Sequence, residues 1–351
     1  MAETAPPARL RELDALRGIA ATIVVLYHLT WRGVEVLPAA QTISHGISWG
    51  HFGVELFFAI SGFVIFMTLE RTRSAADFAV NRFARLFPAY WAAIMVTSAA
   101  MVLLNAPKLA LTGNMILFKL TMLQSYFYFP LVDGVYWTLS AELGFYVCML
   151  ALWRLGLLGR IELVLLAWIG LKLVWWLVPA MPTRPGMLLV QLYIPWFAIG
   201  ICAYRVKSGA RSWTLQLPVL LAGLAVTAVV PDPGDSKADA LVAAGVYVGV
   251  ALLFAALLAG WLRGLDHPWL VWLGALSFPL YLVHQNIGYA VIAATERGGA
   301  SPLLALGLAL ITVFALALTV HLLVEKPALG AIRKGWKAHR AKAPAAANAL
   351  V

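Results

Sequence analysis

The sequence predicts an all-α, polytopic membrane helical bundle of about ten transmembrane helices with both termini cytoplasmic, and three observations carry that prediction. Hydrophobic residues fill 62% of the 351 positions and charged residues only 12%, with mean hydropathy +0.85, more apolar surface than a soluble core of this size can bury. The apolar runs are about 20 residues long and lack the ten-residue alternation of barrel strands. The 26 Lys and Arg sit almost entirely between those runs and in the C-terminal tail. Membrane topology therefore accounts for the net charge of +10 better than nucleic-acid binding does.

Taken in order, residues 1–12 are polar, carry Pro6 and Pro7, and read as a cytoplasmic tail. Ten spans follow, near 14–33, 48–69, 86–105, 135–154, 161–180, 187–205, 215–231, 240–261, 268–293 and 303–325. The segment 113–131, with Lys119, Gln124 and the run Tyr126 to Phe129, reads as interfacial or re-entrant. An even number of spans puts both ends on one side, and that side collects 19 of the 26 basic residues, against 6 on the other and Lys172 within a span. The integral membrane domain then occupies 13–327, and 328–351 is a basic, then Ala-rich, cytoplasmic tail. Cys148 and Cys202 fall inside spans and read as small packing residues. The first span follows Arg9 and Arg11, but His28, Trp31 and Arg32 interrupt its apolar core too early for a cleaved leader.

The first span, LDALRGIAATIVVLYHLTW, is the stretch the rest is arranged around. Arg17 and His28 are eleven residues apart, which is roughly 20° past three full turns and ~16 Å along the axis, so both lie on one face. A charged and a titratable group within a span are costly and face a bundle interior or a wet cavity. Following the topology, His28 lies past the midplane, and Glu55, Glu142 and His284 reach a similar depth from their own spans. Ser277, Tyr281 and His284 form an i, i+4, i+7 stripe. Shared burial is cheaper than four separate burials, so the four groups are expected to pair or to share an aqueous cavity. On the cytoplasmic side Arg82 and Arg85 are three apart on one helical face, and with Arg17 they could clamp phosphate oxygens.

These patterns together resemble the membrane acyltransferase-3 family. The resemblance spans nearly the whole chain and is carried by LDALRGIAATIVVLYH, GVELFFAISGFVI, NRFARLFPAYW with its RxxR pair, WTLSAELGFY, SFPLYLVH and the VEKP ending at Pro327. It implies an integral membrane enzyme that takes an acyl group from cytoplasmic acyl-CoA, acetyl-CoA by analogy, and passes it to a hydroxyl of a carbohydrate-type acceptor, a glycolipid or a small hydroxylated metabolite. It implies His28 as the essential histidine with Arg17 as its motif partner, Arg82 and Arg85 as the RxxR pair, Glu142 as the acidic position of the fourth motif, and the bacterial inner membrane as the location.

The chemistry of the residues agrees with these roles. Acyl transfer to a hydroxyl needs a base, and histidine suits that near neutral pH. Glu142 or Glu55 could orient the imidazole, and an acyl-histidine relay is a second route to the same product. Arg17, Arg82 and Arg85 would hold the phosphates of acyl-CoA, while Glu55, Tyr136, Trp137, Tyr281 and His284 are candidates for holding the acceptor; no metal is called for. Each residue also has a plainer reading. Glu142 and Glu55 serve equally as helix-to-helix hydrogen-bond partners, Arg82 and Arg85 as residues obeying charge topology, and His284 as a packing residue. His45, His51, His267, His321 and His339 lack spacing partners and are assigned no chemistry; Ser61-Gly62 and Gly46 to Gly50 read as close helix packing. The alternative function is a secondary transporter or flippase for a polar envelope precursor, which would show inverted repeats and paired broken helices.

Overall fold

The computed structural model describes residues 10–33, 46–104 and 116–347; residues 1–9 of the expected N-terminal tail, His45 and Lys108 lie outside them, and Arg11 and Glu12, expected in the tail, are helical. Among the described residues there is no strand. The principal helices are α1 Arg11–Leu26, α2 Gly53–Glu70, α3 Ala75–Leu103, α4 Trp137–Arg154, α5 Ile161–Leu177, α6 Ile194–Lys207, α7 Trp213–Val229, α8 Lys237–Leu258, α9 Pro268–Val283, α10 Gln285–Arg297, α11 Pro302–Val320 and α12 Lys326–Ala347. Their boundaries follow local chemistry. Ser74 and Ser236 cap α3 and α8 through their hydroxyls, the second in a reciprocal capping box with Asp239, and proline stands in the first turn of α6, α9 and α11. Two helices widen into π turns before they end or continue, α1 at Tyr27–Arg32 and α11 at His321–Glu325.

Two glycine crossings set the packing. α1 runs parallel to α9, and a Cβ on Gly18 would lie 2.6 Å from the backbone nitrogen of Gly274, while one on Gly274 would overlap the carbonyl of Asp14. α2 meets α6 the same way, with Gly62 against the Phe197 carbonyl and Gly200 against that of Ala59. Small residues let backbones approach where lipid offers no hydrophobic drive for association. Gly62, Gly46 and Gly50 thus pack as the sequence indicates, Gly46 on Thr30 and Gly50 on Ile23 and Tyr27.

Among the described residues, six helical stretches are long and apolar enough to cross a membrane: Arg11–Arg32, Ser48–Glu70, Ala75–Leu103, Gly134–Arg154, Lys237–Leu258 and Pro302–Ala341. The four other expected spans are shorter helices, α5 and α7 of 17 residues, α6 of 14 and α9 of 16. The expected 268–293 is broken at His284 into α9 and α10, and 187–205 is reduced to a short turn at Thr183–Leu188 followed by α6. Residues 116–127 form only short helical turns. The segment expected as a tail from 328 is helical to Ala347, and it docks on the start of α3: Trp336 donates to Asp77 Oδ1 at 2.8 Å, Arg340 pairs with Asp77, and Arg333 donates to Asn81 at 3.0 Å. The start of α1 lies at this same end of the bundle, where Arg11 pairs with Asp266 of the α8–α9 turn at 2.9 Å. This basic end carries Arg71, Arg73, Lys207 and Arg263; the opposite end carries Asp232 and Asp235 in the α7–α8 turn.

The α1–α9 contact makes a direct prediction. Gly274→Ala overpacks it and should cost about 1–3 kcal/mol, read as a lower apparent melting temperature in detergent. Gly245→Ala on α8, where a new Cβ meets nothing within 4 Å, should leave it unchanged or slightly higher.

Candidate functional site

Helices α1, α2, α3, α4 and α9 converge on a narrow cavity of about 90 Å³ lined by Arg17, Arg82, Arg85, Glu142, Tyr146 and Tyr281. Glu142 accepts hydrogen bonds from Ser61 Oγ at 2.9 Å and from the Tyr146 hydroxyl one turn along α4. Arg85 pairs with Glu325, whose other oxygen takes His321 Nδ1 at 2.7 Å. The Arg82 guanidinium lies over the rings of Phe78 and Tyr146 at 5.9 and 5.8 Å, and its buried Nε has no partner among the described residues. Arg17 enters no ion pair among the described residues, so three guanidiniums face two carboxylates. Such a cluster, with donors left over, attracts an anion.

A second cluster sits deeper along the same two helices, where His28 in the first π turn meets His284 at the α9–α10 break. His28 Nδ1 lies 2.9 Å from the carbonyl of Val24 and 3.2 Å from His284 Nε2, and His284 Nδ1 lies 2.9 Å from the carbonyl of Tyr281. Carbonyls only accept, so in two neutral imidazoles both Nδ1 atoms carry the proton. His284 Nε2 then accepts from His28 Nδ1–H, and the lone pair of His28 Nε2 stays uncommitted. This tautomer assignment makes His28 Nε2 a base and leaves the imidazolium it would become held by two acceptors.

The break that presents His284 is held from α4 and the turn before it. Asp133, fully buried, accepts from the backbone N–H of Val135 at 3.2 Å and of Asn286 at 3.0 Å. Asn286 Nδ2 donates to the Val132 carbonyl at 2.8 Å, Tyr136 donates to that of Leu282 at 3.0 Å, and the Tyr281 hydroxyl meets Thr138 at 2.9 Å. Two of these bonds, Asp133 to the Asn286 N–H and Tyr136 to the Leu282 carbonyl, satisfy backbone groups that a helix break would otherwise leave open in an apolar layer, and the others tie the side chains around it.

The structure thus gathers Arg17, Arg82, Arg85, Glu142 and Tyr281 around one cavity and brings His28 and His284 into contact. It departs from the sequence reading in three respects. Neither Glu142 nor Glu55 reaches the His28 imidazole, whose partners are His284 and the Val24 carbonyl; Glu142 instead sits among the arginines. Glu55 lines a separate cavity toward the acidic end with Tyr27, His51 and Lys172, so the four titratable groups do not form one cluster. Tyr136 is buried and holds the α9–α10 break, while its neighbour Trp137 is partly exposed and packs on Tyr193 at 5.2 Å. His28 stands between the two cavities and lines neither: Tyr27, edge-to-face with it at 4.8 Å, borders one, and Tyr281, 5.6 Å from His284, borders the other. Sequence reasoning missed Asp133, Asn286 and the pair His321–Glu325, and it read Ser61 as packing alone. The i, i+4 spacing of His321 and Glu325, ending in VEKP, was the available signal.

Comparison with known proteins gives a consistent result. A family model described as an acyltransferase domain (acyltransferase-3) matches residues 10–322. The chain is 27% identical to Acyltransferase MdmB of Streptomyces mycarofaciens, over 92% of each chain. It is 29% identical to Exopolysaccharide production protein ExoZ of Rhizobium meliloti (strain 1021), over 83% of this chain and 93% of the relative. A shorter match, 30% identical over 40% of the chain, is to Nodulation protein 10 of Rhizobium leguminosarum bv. viciae. No solved structure matches.

Two stability measurements follow from this geometry. Glu325→Ala strands Arg85 and should cost about 3–5 kcal/mol, most of which Arg85→Met with Glu325→Leu recovers, read from melting temperatures of single and double variants. Burial pushes the Asp133 carboxyl from its ordinary 3.8 up to about 7, against its two backbone N–H bonds. The folded chain therefore keeps this proton to higher pH than the unfolded chain, and the associated stability is lost as pH rises from about 4 to about 7. The melting temperature of the wild type should fall across that window, and Asp133→Asn should flatten the fall.

Proposed function

The chain belongs to the acyltransferase-3 family and is an acyltransferase, and we propose that it moves an acyl group from acyl-CoA to a hydroxyl of a carbohydrate-type acceptor, with His28 as general base. The observation that carries this reading is the tautomer chain Tyr281 carbonyl, His284, His28, which leaves Nε2 of His28 free to take a proton. In the step, the acceptor hydroxyl oxygen attacks the thioester carbonyl carbon while His28 Nε2 removes the hydroxyl proton. The carbon–sulfur bond breaks, the acyl carbon keeps its new bond to oxygen, and the departing thiolate receives the proton from the imidazolium. His284 and the Val24 carbonyl hold the charged ring meanwhile.

Arg17, Arg82 and Arg85 supply the anion site for the donor's phosphates, with Glu325 fixing the position of Arg85 and the two glutamates too few to neutralise all three. The cavity they line is narrow, about 90 Å³, which favours a short acyl group such as acetyl over a long chain. Exopolysaccharide production in the name of one relative supports a carbohydrate acceptor. The basic end of the bundle faces the cytoplasm by charge topology, which puts donor entry inside and the acceptor on the far side of a bacterial inner membrane. Family membership sets aside the transporter alternative.

The test is transfer or hydrolysis of radiolabelled acetyl-CoA by the purified protein in liposomes. His28→Ala should lower turnover by about 10²–10⁴-fold with donor binding kept, and Arg82→Ala should raise KM for the donor more than it lowers kcat. A wild type that neither binds nor consumes acyl-CoA, with cell-envelope extract supplied, would overturn the reading; so would full turnover in His28→Ala.

A further inference from the structure

At the acidic end of the bundle two cavities of about 680 and 590 Å³ share the walls Lys172, Asp232 and Asp235. Both fall within the roughly 300–1,000 Å³ of small-molecule sites. The larger is framed by aromatic rings, Trp137, Trp175, Trp176, Tyr126 and Tyr193. The smaller runs past Glu55, Thr227, Asp239 and His51 to Tyr27, the ring that borders His28.

Three buried polar oxygens on these walls have no hydrogen-bond partner among the described residues: Oε1 of Gln191, Oγ1 of Thr227 and Oε2 of Glu55. Gln191 and Thr227 are more than nine-tenths buried, at 8% and 3% exposure. Unpaired buried polar atoms are costly, so a site carrying three of them is built for something that supplies hydrogens. The charged side chains point the same way. The walls hold four acidic side chains against one lysine, and that lysine is already committed to Asp232 at 2.6 Å. Asp235 is pushed upward by burial and by the nearby Asp232 and Asp239. The site offers acceptors and rings and is short of donors.

We propose that this pair of cavities binds a polyhydroxylated ring that carries no acidic group, a neutral or amino sugar, and rejects its uronic-acid counterpart. The apolar face of such a ring stacks on Trp137 and Trp175, its hydroxyl or amine hydrogens go to Gln191, Thr227 and the carboxylates, and a carboxylate on the ring meets four acidic side chains while Lys172 is already taken by Asp232. The proposal rests on the acyltransferase reading only in making this ligand the acceptor; the binding selectivity stands or falls by itself.

The experiment measures binding of methyl glucoside, glucosamine and glucuronate to the full chain in nanodiscs, by tryptophan fluorescence and by saturation-transfer NMR. The two uncharged or cationic probes should bind at least about tenfold tighter than glucuronate. Asp235→Asn with Asp239→Asn should narrow that gap to within about threefold, while Trp175→Ala and, separately, Gln191→Leu weaken the favoured probes. Each variant is first matched to wild type in elution volume and helical signal, and Trp137→Ala replaces Trp175→Ala if the latter does not fold. Glucuronate binding as tightly as glucosamine, or unchanged binding in the tryptophan variant that folds, would overturn the proposal. Acetyl-CoA turnover is measured in parallel: its absence in wild type with sugar selectivity intact counts against the acyltransferase mechanism alone, and turnover with no selective sugar binding counts against this site alone.

Discussion

The molecule depends on a single register between two parallel helices. Gly18 of α1 faces Gly274 of α9, and ten residues further along each helix His28 faces His284. The offset is the same at both points, so a backbone contact with no polar component fixes the alignment of two titratable side chains some three turns away. Arg17 precedes the first contact and Ser277 and Tyr281 follow the second glycine, which places the arginine cavity between the two points. Interactions from other helices then finish what this register begins. Arg82 and Arg85 arrive from α3, Glu142 from α4, and Glu325 from the turn after α11.

The histidine pair divides the interior into unlike halves. On one side three arginines and Glu142 surround a slot, with Glu325 paired to Arg85; on the other, carboxylates, amides and aromatic rings surround broader space. On the proposed function, a polyanionic donor would be drawn to the basic end and kept from the acidic one before it meets the imidazole. Tyr27 and Tyr281 stand on the two approaches. The α9–α10 break falls at this division, at His284 itself. Keeping a helix broken inside an apolar layer requires partners for the freed backbone groups, and Asp133 and Tyr136 meet that requirement.

Much of this was legible in the sequence because it obeys one period. The Arg17 and His28 stripe, the Arg82 and Arg85 pair, and the Ser277, Tyr281, His284 stripe all follow from 3.6 residues per turn, and each recurs on a single helix face in the structure. What was not legible depends on events that break the period or span the chain. The break at His284 lies at the polar triplet His284-Gln285-Asn286, which holds no proline or glycine to mark a stop. Arg85 and Glu325 are 240 positions apart, and nothing local announces their meeting. Asp133 gives no local signal, because its partner on α10, the Asn286 N–H, lies 153 positions away. Glu142 was placed near His28 by depth alone, and depth does not say which neighbour a side chain turns to.

The second π turn has a consequence of its own. At His321–Glu325 the helix takes up one more residue than an α turn would, and so advances the phase of everything after it. The lipid-facing stripe of α11 and the stripe of α12 bearing Arg333, Trp336 and Arg340 are set against each other by that one extra residue. In related chains, loss or gain of a single residue here would swing those three side chains by about 100° around the axis and off Asp77 and Asn81, with no change in composition. Length in this turn is therefore constrained alongside the identity of Glu325, and insertions among relatives should fall elsewhere.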